Sequence, residues 1–156
     1  MNEKPSNYRI PAELASRLRT TARTNDMEFQ ELTKRLITLG LVIDKTEIDG
    51  GSTLIKTGEV EDRVRVIKDR NLFQKFIDRF GVEKVKPESA YTIKIPALVN
   101  NEVQQIAGRE RMSPNRVIEE ILNQGLEITT RLASPDSTMV IRDPGLEEKV
   151  LQVTIR

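Results

Sequence analysis

Apolar and polar residues alternate over two short stretches of the chain. In the first, Tyr8 and Ile10 alternate with Asn7 and Arg9; in the second, Tyr91, Ile93 and Ile95 alternate with Thr92 and Lys94. A period of two predicts a strand with one apolar and one polar face. Pro11 and Pro96 end these stretches and suit the first turn of a helix. Helical spacing follows, through Leu14, Leu18, Thr21 and Ala22 in one case and Val99, Val103, Ile106 and Ala107 in the other. After a polar break (23–26 and 108–111), a second helix is predicted in each. The later one has a clear start: Ser113 is a good N-cap, Pro114 fits the first helical position, and Val117, Ile118, Ile121 and Leu122 form an apolar stripe. Gly40 and Gly125 lie near the ends of these helices, and the sequence fits both C-caps and sites where two helices pack closely.

The two stretches are copies. Shifting the sequence by 85 residues lays Tyr8–Leu41 on Ile93–Leu126 without a gap, matching Ile10-Pro11-Ala12 to Ile95-Pro96-Ala97 and Gly40-Leu41 to Gly125-Leu126. Elsewhere the hydrophobic pattern is preserved more than the identities, as in Leu36 with Ile121 or Leu32 with Val117. Each copy is trailed by a predicted β-hairpin. Its first strand is Ser52–Ile55 or Ser137–Val140, its turn lies near Gly58 or at Asp143-Pro144-Gly145, and its second strand is Val64–Ile67 or Val150–Ile155. Between the copies, Leu72, Phe73, Phe76, Ile77 and Phe80 share one helical face, and Val82–Ser89 reads as linker. The expected organisation is therefore a first unit at 1–44, a hairpin at 45–70, a Phe-rich helix and linker at 71–89, a second unit at 90–130 and a hairpin at 131–156. The fold class is mainly α with short β.

Composition narrows the chemistry. There is no His and no Cys, which excludes Ser-His-Asp and Cys-His catalysis, disulfides and ordinary zinc sites. No glycine-rich phosphate loop is present, and Glu119-Glu120 and Glu147-Glu148 read as solvated faces in a chain that is 31% charged. The expectation is no enzyme, no cofactor and no metal. Aromatics are 4% with no Trp, too few for a platform that stacks single-stranded bases. The 25 basic and 24 acidic residues nearly cancel, so any positive surface must come from placement. Apolar runs are too short to cross a bilayer and no signal-peptide core opens the chain, so a cytoplasmic protein is expected.

Strand, Pro-initiated helix, polar turn and Ser-capped helix, twice over, resemble the ribbon-helix-helix (MetJ/Arc/CopG) superfamily of DNA-binding proteins. The resemblance covers Asn7–Leu41 and Thr92–Leu126, about half of the chain. Two units in one polypeptide are similar to TraY-like proteins. It implies a tandem ribbon-helix-helix pseudo-dimer, each unit followed by a β-hairpin, in which the two strands pair intramolecularly and enter the major groove of double-stranded DNA. Base-contacting residues would be Asn7, Arg9, Thr92 and Lys94; otherwise these polar residues simply face water. The family's phosphate clamp at the start of the second helix would fall on Ser113, Asn115 and Arg116. The first copy departs from this with Glu28, whose carboxylate would repel a phosphate. The implied function is sequence-specific binding, as a transcriptional repressor acting on bacterial nucleoid, plasmid or phage DNA. The alternatives are an accessory protein of plasmid transfer or partition, and an antitoxin-like interaction module using the Phe-rich helix and hairpins. Those elements are otherwise expected to complete the core. Higher-order assembly on adjacent sites is a further expectation.

Overall fold

The structure, a computed structural model, describes residues 6–67, 72–80 and 90–153. The linker Val82–Ser89 and the end of the last expected strand lie outside the described residues. The chain is mixed α/β. In order it forms β1 (Ser6–Pro11), α1 (Ala12–Thr24), α2 (Phe29–Ile48), β2 (Ser52–Thr57), β3 (Val60–Val64), α3 (Leu72–Phe80), β4 (Ala90–Ile95), α4 (Ala97–Glu110), α5 (Pro114–Leu132), β5 (Ser137–Arg142) and β6 (Glu148–Val150). It divides into two compact units, Met1–Thr20 with Ile67–Glu120, and Thr21–Val66 with Ile121–Arg156.

In the first unit β1 and β4 form a two-stranded antiparallel sheet. Neither strand can satisfy its backbone alone, so each supplies the other's hydrogen-bonding partner. Tyr8 lies opposite Ile93, its counterpart in the other copy, with Asn7 opposite Lys94 and Arg9 opposite Thr92. Tyr8, Ile10, Ile93 and Ile95 are buried, as are Leu14, Ala15 and Leu18 of α1 and Val103, Ile106 and Ala107 of α4. Pro96 precedes α4 with an extended backbone and offers its carbonyl to the Asn100 N–H at 2.9 Å, so it sits one position earlier than the spacing predicts. Helix α4 ends on Arg111 in the left-handed conformation (φ 55°), with the Met112 N–H returning to the Ala107 carbonyl at 3.0 Å. Asp26, the counterpart of Arg111, ends α1 in the second unit the same way: its φ is 53°, and the Met27 N–H reaches the Ala22 carbonyl at 2.8 Å.

The Phe-rich segment forms α3, but it does not complete a core at its described side chains. Leu72, Phe73 and Phe76 are 85%, 70% and 54% exposed, because the two copies themselves furnish the buried positions.

In the second unit α2 and α5 run through Gly40 and Gly125 without stopping, which removes the C-cap alternative. Both glycines are close-packing sites. A Cβ on Gly40 would lie 2.7 Å from Ile121 Cγ2, and one on Gly125 would lie 3.0 Å from Leu36 Cδ2. Leu36 and Ile121 are themselves counterparts, so the crossing is reciprocal.

The two hairpins are found, with shifted second strands. Gly58 (φ 60°) allows a tight two-residue turn, so β3 starts at Val60 and ends where the pattern placed its beginning. In the other, the Asp143 carboxylate accepts the Glu147 N–H at 2.9 Å across the turn, and β6 is Glu148–Val150. The hairpins also join through β2 and β5 into one sheet, ordered β3-β2-β5-β6. One charged residue from each strand forms a network across it. Lys56 pairs with Glu61 at 3.5 Å and Glu148 at 2.5 Å, and Arg142 pairs with Glu61 at 3.0 Å and also with Glu148.

Two predictions follow from these contacts. Gly40→Ala should lower unfolding free energy by about 1–3 kcal/mol despite alanine's better helix propensity, because the β-branched Ile121 cannot swing aside. A denaturation double-mutant cycle with Ile121→Ala should show the two sites coupled by about 1 kcal/mol or more. The sheet network should make stability depend on pH. Hydrogen bonding from Arg142 holds Glu61, and from Lys56 holds Glu148, below the ordinary carboxyl value of 4.5. A carboxyl group whose pKa is lowered on folding stabilises the fold above its ordinary value, and that contribution disappears as pH falls through the folded value. Thermal melts of Glu148→Gln should therefore fall less steeply than wild type below pH 4.5, and high salt should narrow the difference.

Candidate nucleic-acid interface

The β1–β4 sheet presents the alternation that its sequence predicts. Asn7, Arg9, Thr92 and Lys94 are all exposed, while the alternate residues Tyr8, Ile10, Ile93 and Ile95 are buried. The antiparallel register brings the four exposed residues together as two adjacent cross-strand pairs. Two cationic side chains thus share one small face with an amide and a hydroxyl. That is a set of donors and acceptors suited to base edges.

Two aromatic residues frame this face differently. The Tyr8 hydroxyl donates to Asn100 Oδ1. Burial raises its pKa above the ordinary tyrosine value against the opposing hydrogen bond of Gln104, so it remains a neutral donor. Tyr91, expected to face inward, is 36% exposed because it lies at the start of β4. Its ring is covered by the Arg19 guanidinium at 4.2 Å from the centroid, and its hydroxyl accepts from Arg19 Nη1 at 2.9 Å. Arg19 had no signal in the strand or cap patterns; it is found only once α1 is set beside β4.

The start of α5 is built as the sequence indicates at Ser113 and otherwise at its neighbours. Ser113 Oγ accepts the Arg116 N–H at 3.2 Å, and its carbonyl takes the Val117 N–H at 3.1 Å. Pro114 has no N–H, which leaves the N–H groups of Ser113 and Asn115 as first-turn donors outside the intrahelical pattern. The Asn115 side chain is engaged with β1. Its Oδ1 accepts the Arg9 N–H at 2.9 Å and its Nδ2 donates to the Arg9 carbonyl at 2.6 Å. Arg116 turns back along its own helix, 3.5 Å from Glu119 and 3.2 Å from Glu120. The side chains of Asn115 and Arg116 thus have partners within the protein, and an anion at this helix end would meet backbone donors first.

The start of α2 differs. Glu28 occupies the N-cap position in an extended conformation (φ −74°, ψ 150°) and makes no side-chain cap bond. A hydroxyl accepts an N–H readily at this position, whereas glutamate is a poor cap.

The difference is measurable as stability. Ser113→Ala should lower unfolding free energy by about 1 kcal/mol, and Glu28→Ser should raise it by about 0.5–1 kcal/mol by supplying the missing cap bond. Urea denaturation of both variants checks this, and an unchanged midpoint for each would mean that neither cap contributes. In comparisons with protein-family models, curated proteins and solved structures, the chain matches none of them.

Proposed function

We propose that the chain is a sequence-specific double-stranded DNA-binding protein, a tandem ribbon-helix-helix pseudo-dimer that reads the major groove with β1 and β4. One observation carries this reading. The two strands pair antiparallel within one chain about Tyr8 and Ile93, and their shared exposed face consists of Asn7, Arg9, Thr92 and Lys94. A major groove about 12 Å wide admits a two-stranded ribbon. Arginine and lysine donate to guanine, asparagine pairs with adenine in both directions, and threonine serves either a base edge or a thymine methyl. Backbone N–H groups at the start of α5 would hold a phosphate beside the groove, where the positive end of the helix dipole adds to their attraction. The strand–helix–helix order of both copies agrees with the resemblance. The regulatory role that fits best is repression, by occupying an operator.

Because the reading residues differ between strands, the site recognised by one chain is asymmetric. A homodimeric ribbon would instead prefer a palindrome.

A second reading has its own support. The exposed apolar side chains of Leu72, Phe73 and Phe76 on α3 favour a protein partner, as in an interaction module. The two readings diverge in a selection from randomised duplexes: DNA recognition gives an enriched asymmetric motif, and an interaction module alone gives none.

On the enriched duplex, Arg9→Ala and Lys94→Ala should each cost about 1–3 kcal/mol and relax preference at different base pairs. Binding should weaken with salt, each neutralised phosphate contributing about −0.9 to the slope of log K against log salt. Equal affinity for every duplex and for single strands would reject base reading.

A further inference from the structure

The outer edge of β1 is held at one residue. A single carboxamide, that of Asn115, satisfies both the N–H and the carbonyl of Arg9, at 2.9 and 2.6 Å. Both groups therefore point away from β4, and Arg9–Thr92 is a non-hydrogen-bonded pair of the ladder, the kind whose side chains lie closest together. Alternation puts Asn7–Lys94 in the same class. The arrangement is bidentate, so the Arg9 backbone can neither tilt nor slide along the strand without losing both bonds. Asn115 is itself anchored: it is half-buried and lies in the first turn of α5, between the Ser113 cap and the fully buried Val117 and Ile118.

The other copy is built differently at the corresponding positions. Lys94 is the counterpart of Arg9, and the counterpart of Asn115 is Gln30, which is exposed and one methylene longer. The α2 start that carries Gln30 also lacks a side-chain cap bond at Glu28.

We propose that Asn115 is a positioning residue that fixes the Arg9 backbone and thereby makes β1 the more discriminating of the two reading strands. This rests on the base-reading function proposed above. A guanidinium reads guanine with a planar fork, so its contact depends on the direction in which the side chain leaves the backbone. When that backbone is already ordered in the free protein, binding need not order it, and a mismatched base cannot be met by a shifted strand. Lys94 is a flexible point donor and gains less from a fixed backbone. The preferred site is therefore expected to be strict at the base pair read by Arg9 and more permissive at the one read by Lys94.

The test uses the full chain and two variants, Asn115→Ala and the near-isosteric Asn115→Asp, the second keeping the size of the side chain in the first turn of α5. In the protein without DNA, exchange of the Arg9 amide measured by NMR should become about tenfold faster or more in Asn115→Ala, with Tyr8 and Ile10 unchanged. On the selected duplex and its single-base variants, discrimination at the Arg9 base pair should fall about fivefold or more, while that at the Lys94 base pair stays within about twofold. Asn115→Asp, which keeps the acceptor for the Arg9 N–H but loses the donor to its carbonyl, should fall between wild type and Asn115→Ala in both measurements. Unchanged Arg9 exchange would overturn the clamp. An Asn115→Ala variant that loses affinity equally for all duplexes, or keeps its preference at the Arg9 base pair, would overturn the positioning role alone. A wild-type protein without base preference would overturn base reading itself, and it is recognised before any variant is compared.

Discussion

A six-residue strand has backbone groups on both edges that must be satisfied, and the rest of the exposed ribbon follows from how β1 and β4 meet this demand. Each fills one edge of the other. The register centres on Tyr8 and Ile93, so the buried residues of both strands fall on one side and Asn7, Arg9, Thr92 and Lys94 on the other. A slip of one residue in either strand would turn its apolar side chains to water, which makes this register strongly specified. The outer edge of β1 is met in another way, by the Asn115 carboxamide at Arg9. The same backbone requirement thus creates the exposed polar face and fixes part of its orientation.

Equivalence between the copies extends to packing in the second unit. Gly40 meets Ile121 and Gly125 meets Leu36, the same contact made twice with the roles exchanged. A Cβ would clash with Ile121 at Gly40 and press on Leu36 at Gly125, and the loss of helix propensity at two glycines is offset by the packing they permit. The hairpins follow the same rule, since Leu54 and Ile55 of β2 lie opposite Val140 and Met139 of β5, each facing the counterpart of its neighbour. A duplicated sequence can bury its apolar faces against its own copy. That accounts for a core without contributions from Leu72, Phe73 or Phe76.

The copies diverge at polar positions of the helix starts and the strands. Ser113 caps its helix and Glu28 does not; Asn115 grips a strand and its counterpart is the longer Gln30. Arg9 and Lys94 differ in the geometry they demand of a partner. Apolar positions are constrained by the shared core to remain similar in kind, and the surface is not. Divergence at the surface is what allows one chain to present an asymmetric face.

The sequence by itself determined what local periodicity and backbone chemistry can encode. Alternation at Asn7–Ile10 and Tyr91–Ile95 identified the strands and their faces, Ser113-Pro114 identified a helix start, and the 85-residue repeat implied that two copies had to be reconciled in one fold. Tertiary structure alone decided what each face meets. Gly40 and Gly125 read equally well as caps or contacts until Ile121 and Leu36 were found against them. Asn115 and Arg116 had side chains suited to a phosphate, but Arg9 and the Glu119–Glu120 pair took them up. The union of the hairpins through β2 and β5, and the exposure of α3, were likewise invisible in the pattern. The reason is physical: hydrophobic spacing reports that a face is to be buried or solvated, while the identity of its partner depends on groups brought together from distant parts of the chain.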